Sequence, residues 1–208
     1  MDTSHPPEPP IINLPPMTKA LCLANAAVFL ALEFLPGLFS EDDVYALAFV
    51  PARYFAAEGM SLKTLLTPVT YMLIHAGWMH FLVNTAMLMA FGTGLEKTLG
   101  GRRLLVLYVA TGVAAAFFHA ALYPASGAPI VGASGGISGL FGGIVMAMAA
   151  RKGEGWASLF PFIALWVAIS LFFGVFGMPG SDNAIAWAAH IGGFITGMAL
   201  LKPVSRLP

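Results

Sequence analysis

The 208-residue chain balances 10 Lys and Arg against 10 Asp and Glu, and only 10% of its residues are charged while 58% are apolar; soluble domains carry about 25% charge. With no net charge to attract nucleic acid and a mean hydropathy of +0.81, the composition excludes a water-soluble globule and describes one compact integral membrane domain. A single cysteine, Cys22, excludes an internal disulfide framework and an all-cysteine metal site.

The first 16 residues hold six prolines and no apolar core. They read as a disordered cytoplasmic tail over 1–17 rather than a cleavable signal peptide. Six apolar stretches follow, at 18–37, 69–92, 103–123, 133–150, 157–177 and 184–201. Each has about the 20 residues that carry a helix across a hydrocarbon core of about 30 Å. The expected fold is therefore an all-α membrane bundle of six helices over 18–202, with a short cytoplasmic tail at 203–208. The long connection at 38–67 holds Glu41, Asp42, Asp43, Arg53, Glu58 and Lys63 among Leu, Phe and Ala, and reads as a folded loop on the membrane surface.

Orientation comes from the basic residues. With the N-terminus cytoplasmic, Lys19, Lys97, Arg102, Arg103, Arg151, Lys152, Lys202 and Arg206 lie inside, and only Arg53 and Lys63 lie outside. Eight against two follows the positive-inside rule. Both termini are then inside, and the second, fourth and sixth helices enter from the outer face.

Polar groups in hydrocarbon are costly unless paired or facing a cavity. The candidates are His75, His80 and Asn84 on the second helix, Ser134 and Ser138 on the fourth, and His190 on the sixth. On the second helix, His80 and Asn84 share a face at i, i+4 spacing, and both can donate hydrogen bonds. They serve either each other and nearby backbone or a developing negative charge. His75 precedes His80 by five residues, about 140° around a continuous helix, which sets the two on different faces and argues against a metal pair.

The fourth helix opens with Val131-Gly132-Ala133-Ser134-Gly135-Gly136-Ile137-Ser138-Gly139. A serine at a helix start has unpaired backbone N–H groups around it that can receive an oxyanion. The same stretch also begins a small-residue ridge, Gly135, Gly139 and Gly143, of the kind membrane helices use simply to pack. On the sixth helix, His190, Gly193 and Gly197 lie on one face at i, i+3, i+7 spacing. His190 is either a structural hydrogen bonder, part of a proton path, or a base placed against Ser134 by packing of the two glycine faces.

In this order, and at these helix ends, Gly132-Ala133-Ser134-Gly135, His80-xxx-Asn84 and His190 followed by Gly192 and Gly193 resemble the rhomboid intramembrane serine proteases. The resemblance covers about residues 65–201, including His75 and the Glu96-Lys97 segment with Gly100 and the basic pair after it. It implies Ser134 as nucleophile and His190 as its general base. It implies an oxyanion hole of His80, Asn84 and the Ser134 backbone N–H, with Gly132, Gly135, Gly193 and Gly197 in support. Glu96 matches a structural position at the inner end of the second helix. Membrane-spanning protein substrates in the lipid bilayer are the implied partners, without cofactor, metal or nucleic acid, and the lack of an evident targeting presequence favours a bacterial plasma membrane. Two positions depart from the pattern: Leu66-Thr67 stand where some members have a Trp-Arg pair, and Ser138 where some have an aromatic residue. Two other function classes share these features: a catalytically inactive member that binds membrane proteins, and a transporter. The dyad residues are both present, against the first. No internal repeat is evident, and Glu33 is the lone carboxylate within the spans, against the second.

Overall fold

The computed structural model describes residues 13–35, 37–55, 61–152, 156–177 and 186–207. Most of the expected N-terminal tail, residues 1–12, lies outside them. Among the described residues six long helices run in chain order, α1 (Pro16–Phe34), α5 (Trp78–Leu99), α6 (Gly101–Leu122), α7 (Ser134–Lys152), α8 (Phe160–Phe176) and α9 (Trp187–Ser205). Three short helices, α2 (Glu41–Leu47), α3 (Ala52–Phe55) and α4 (Leu62–Thr70), occupy the connection after α1. Among the described residues there is no strand, only an isolated bridge between Phe49 and Ile130. The fold is an all-α membrane bundle. By length and composition α1 and α6 can each cross a membrane, α4 and α5 together form an apolar pair with a bend, and α7 and α8 are shorter apolar helices.

The expected second span is corrected. Residues 69–92 do not form one helix: α4 runs into a 3-10 turn at Tyr71–Leu73, and the axis bends by 82° before α5 starts at Trp78. Gly77, with φ at 152°, makes the turn in a region of backbone space that favours glycine. The apolar run continues through the bend because Tyr71, Met72 and Ile74 are buried in the protein core, so hydropathy carries no mark of it. The bend also moves His75 off the helix. Its ring and that of His80 stand edge to face with centroids 5.3 Å apart, so they are neighbours despite the angular separation a continuous helix would impose.

The connection after α1 is folded, as its composition suggested. Ser40 opens α2 with a capping box, accepting from the Asp43 N–H while its own N–H and hydroxyl donate to the Asp43 carboxylate. Those bonds hold the Asp43 carboxyl below its ordinary pKa. Phe49 and Ile130 exchange both backbone hydrogen bonds, and Ala52 N–H donates to the Ser126 carbonyl. The surface segment is thereby tied to the loop that leads into α7. Gly132 N–H, in turn, donates to the Tyr71 carbonyl at 2.9 Å.

The centre of the bundle is α6, α7 and α9, whose facing residues are mostly Gly, Ala and Thr. Without side chains to separate them, the backbones approach closely and dispersion contacts replace the water-driven term that lipid cannot supply. α8 is peripheral. It buries Trp166 and Ser170 but exposes Phe160, Leu165, Val175 and Phe176, as suits a helix with lipid on one side.

Near the C-terminal end of α5, Glu96 reaches the first turn of α1. Its carboxylate accepts from Met17 N–H at 2.8 Å and from Thr18 N–H and hydroxyl at 2.7 Å each. A helix start leaves its first N–H groups without intrahelical partners, and here a carboxylate from another helix serves as the cap. Glu96→Ala is expected to leave those donors unsatisfied at about 1–3 kcal/mol for a buried group. Thermal unfolding in detergent should then fall on the order of 5–10 °C for a chain of this length. An unchanged midpoint would show that the α1 cap is dispensable.

Candidate active site

Ser134 is the first residue of α7, and His190 lies in the first turn of α9. The His190 Nε2 and the Ser134 Oγ are 2.8 Å apart, across 56 residues of chain. Both side chains are partly buried. Packing of α7 on α9 sets this distance. A Cβ built on Gly193 would collide with the Gly135 carbonyl, and one on Gly197 with the Gly139 carbonyl. The expected glycine-to-glycine contact is thus present but rotated. Gly193 and Gly197 rest on α7 carbonyls, whereas the missing side chains of Gly135 and Gly139 face Ala115 and Thr111 of α6, and Gly142 is the α7 glycine that meets the α9 backbone.

His80 approaches from α5. Gly132 has φ at +115°, and a Cβ there would lie 2.7 Å from His80 Cε1 and Nε2. Only glycine permits both this backbone conformation and this approach. Ala76 N–H donates to His80 Nδ1 at 3.3 Å, which makes Nδ1 an acceptor and leaves the ring proton on Nε2, the nitrogen turned toward the start of α7. His80 can therefore donate there while remaining neutral.

Asn84 is divided in its role. Its Nδ2 donates to the His80 carbonyl at 2.8 Å, the local bond that i, i+4 spacing allows. One amide hydrogen remains, and the Oδ1 is buried with no partner among the described residues. Ser138, in the place of the aromatic residue, donates to the Ser134 carbonyl at 2.7 Å. Among the described residues no aromatic ring stacks on His190, whose Nε2 is held by the contact with Ser134 Oγ.

A cavity of about 230 Å³ adjoins these groups. It is lined by His80, Val83, Asn84 and Met87 of α5, Ser134, Ile137 and Ser138 of α7, Trp166, Ile169, Ser170 and Phe173 of α8, and His190 of α9. Five of the six polar candidates thus line one cavity, while the sixth, His75, stands beside His80. Sequence reasoning missed Trp166 and Ser170. The available signal was a lone serine in the 17-residue apolar helix Phe160–Phe176, easily dismissed as a tolerated small residue.

If His80 and Asn84 serve a developing oxyanion, losing either one should slow turnover by roughly 10- to 1000-fold, the range for one oxyanion donor. His80→Ala is expected to be the more damaging, because Asn84 has only one amide hydrogen left to offer. Turnover of a membrane-spanning reporter by the two single variants and the double variant checks this. Wild-type rates in all three would make this face of α5 structural.

A family model described as the Rhomboid domain matches residues 63–207. Among curated proteins, the chain is 32% identical over 139 residues to Rhomboid protease GluP of Bacillus subtilis, covering 67% of this chain and 26% of that protein. It is 31% identical over 140 residues to Rhomboid-related protein 2 of Mus musculus, covering 64% and 45%. Against RHOMBOID-like protein 1 of Arabidopsis thaliana it is 28% identical over 214 residues, covering 89% and 52%. The chain spans between about a quarter and a half of the length of these relatives.

Proposed function

The chain belongs to the rhomboid family, and on that footing we propose that it is an intramembrane serine endopeptidase working through a Ser134–His190 dyad. The observation that carries this reading is the 2.8 Å contact between the two side chains, made across 56 residues of sequence. A serine hydroxyl becomes a competent nucleophile when a positioned base accepts its proton during attack. His190 takes that proton as Ser134 Oγ bonds to the scissile carbonyl carbon. The carbonyl oxygen becomes an oxyanion held by His80 Nε2–H, the remaining Asn84 N–H and the backbone N–H at the start of α7. Collapse of the tetrahedral species expels the amine, which receives the proton from His190. Water then repeats the sequence on the acyl-serine and restores the hydroxyl.

The eight-to-two distribution of Lys and Arg supports an orientation with both termini cytoplasmic and the cavity toward the outer face, and we place the protein in the plasma membrane. Substrates are single membrane-spanning helices. Their carbonyls are hidden in intrahelical hydrogen bonds, so small or helix-breaking residues near the outer boundary favour the local unwinding that cleavage needs. Labelling of the purified protein with a serine-directed fluorophosphonate tests the reading. Wild type should be labelled at Ser134, and Ser134→Ala should not be labelled. Labelling of Ser138 instead, or no labelling of wild type, would overturn it.

A further inference from the structure

A hydroxyl in an apolar membrane helix ordinarily donates to the carbonyl four residues earlier. Ser138 does so on α7 at 2.7 Å, and Thr111 does so on α6 at 2.8 Å. Ser170 of α8 does not. It is 1% exposed, and its Oγ is buried with no partner among the described residues. One turn earlier on the same helix, Trp166 is 8% exposed and its Nε1 is equally unpartnered. Both residues line the cavity beside Ser134, as does Asn84 with its unpartnered Oδ1. Other orphan hydroxyls, such as Thr85 and Thr93 of α5, do not line it.

An unsatisfied buried polar atom is costly, and several of them around one cavity are the mark of a place prepared for a ligand. The set has a definite chemistry. Trp166 offers a donor, Asn84 Oδ1 an acceptor, and Ser170 either. A group that presents both a donor and an acceptor matches it. Among the described residues the lining contains no Lys, Arg, Asp or Glu, so a charged group would be buried without compensation. A purely aliphatic side chain would leave the three atoms unpaired.

We propose that Ser170 and Trp166 of α8, with Asn84 of α5, form a polar subsite that selects substrates bearing a neutral hydroxyl or carboxamide side chain next to the scissile bond. The proposal rests on the serine-protease reading, because it places the ligand beside Ser134. It predicts that a neutral polar residue within an otherwise apolar substrate helix is recognised directly, in addition to any weakening of the helix.

The test pairs two isosteres. Membrane-spanning reporters differing only by Thr or Val beside the mapped cleavage site are compared on wild type, Ser170→Thr and Ser170→Val. Thr and Val have nearly the same shape, so a steric effect of substitution is common to both enzyme variants and cancels. Wild type and Ser170→Thr should prefer the Thr reporter in kcat/KM by about 3- to 10-fold, the worth of one net hydrogen bond. In Ser170→Val the ratio should fall toward 1. Trp166→Phe, which removes only the indole N–H and keeps an aromatic ring, should lower the same ratio. Equal cleavage of both reporters by wild type overturns the subsite, and so does a preference that survives both Ser170→Val and Trp166→Phe. If wild type neither cleaves a reporter nor takes the fluorophosphonate label, the protease reading fails and the subsite with it. Labelling at Ser134 with no Thr preference leaves that reading standing and removes the subsite alone.

Discussion

Ser134→Ala and His190→Ala are each expected to abolish cleavage of a membrane-spanning reporter while the protein remains folded and inserted. The two side chains meet through a single 2.8 Å contact, and neither does chemistry alone. Without Oγ there is no atom to form the acyl intermediate. Without the His190 imidazole, the hydroxyl loses the base positioned to take its proton. Residues that act as a unit are strongly non-additive, so the double variant should be little worse than either single one. Each loss should reach roughly 10⁴-fold or more, as when a member of a nucleophile–base unit is removed. Gel-based cleavage in liposomes, with thermal unfolding to confirm the fold, reads the outcome. Sustained turnover by Ser134→Ala would end the serine mechanism.

Gly193→Leu and Gly197→Leu should reduce activity nearly as far, although neither residue touches the chemistry. At these two positions the α9 backbone lies against the Gly135 and Gly139 carbonyls, so even the first carbon of a side chain has no room. The obstruction is backbone, which cannot rotate aside as a flexible side chain would. The helices must separate, carrying His190 away from Ser134. A misplacement of about 1 Å already costs on the order of 100-fold in rate. Gly193 lies one turn below His190, so displacement there transfers directly to the imidazole. Phe194→Leu is the useful contrast. Phe194 is 1% exposed and packs near Phe141 and Trp166, so the smaller side chain leaves a void at about 1–3 kcal/mol without forcing α9 from α7. Full activity in Gly193→Leu at normal expression would show that this glycine face does not position the pair.

Several features were legible in the residues because they follow from local rules. Each apolar stretch holds one of the long helices, although 69–92 is broken by the bend before α5, since lipid leaves the backbone no other partner than itself. The i, i+3, i+7 spacing of His190, Gly193 and Gly197 gave their common face, and the glycines around Ser134 marked a close approach. The bend at residues 74–77 was not legible. Tyr71, Met72 and Ile74 are as apolar as lipid-facing residues, and only their burial against the core distinguishes them. For Glu96 the resemblance implied a structural position, but what it holds was not legible, because its partners Met17 and Thr18 lie almost 80 residues earlier.

What the sequence determined by itself was the class of fold, the order of the helices and a short set of polar residues too costly to leave in hydrocarbon unpaired. What only the tertiary structure decided was which of those residues meet. It brought Ser134 to His190, turned His80 toward Gly132, spent half of the Asn84 amide on its own helix and set Ser170 of α8 facing the same cavity. The physical reason is that a membrane protein has two apolar environments. In water, burial of a helix face is announced by its hydrophobicity. In lipid, the side toward the bilayer and the side toward the core can both be apolar, so the rotation of each helix is set by close packing of small residues, which a linear pattern does not record.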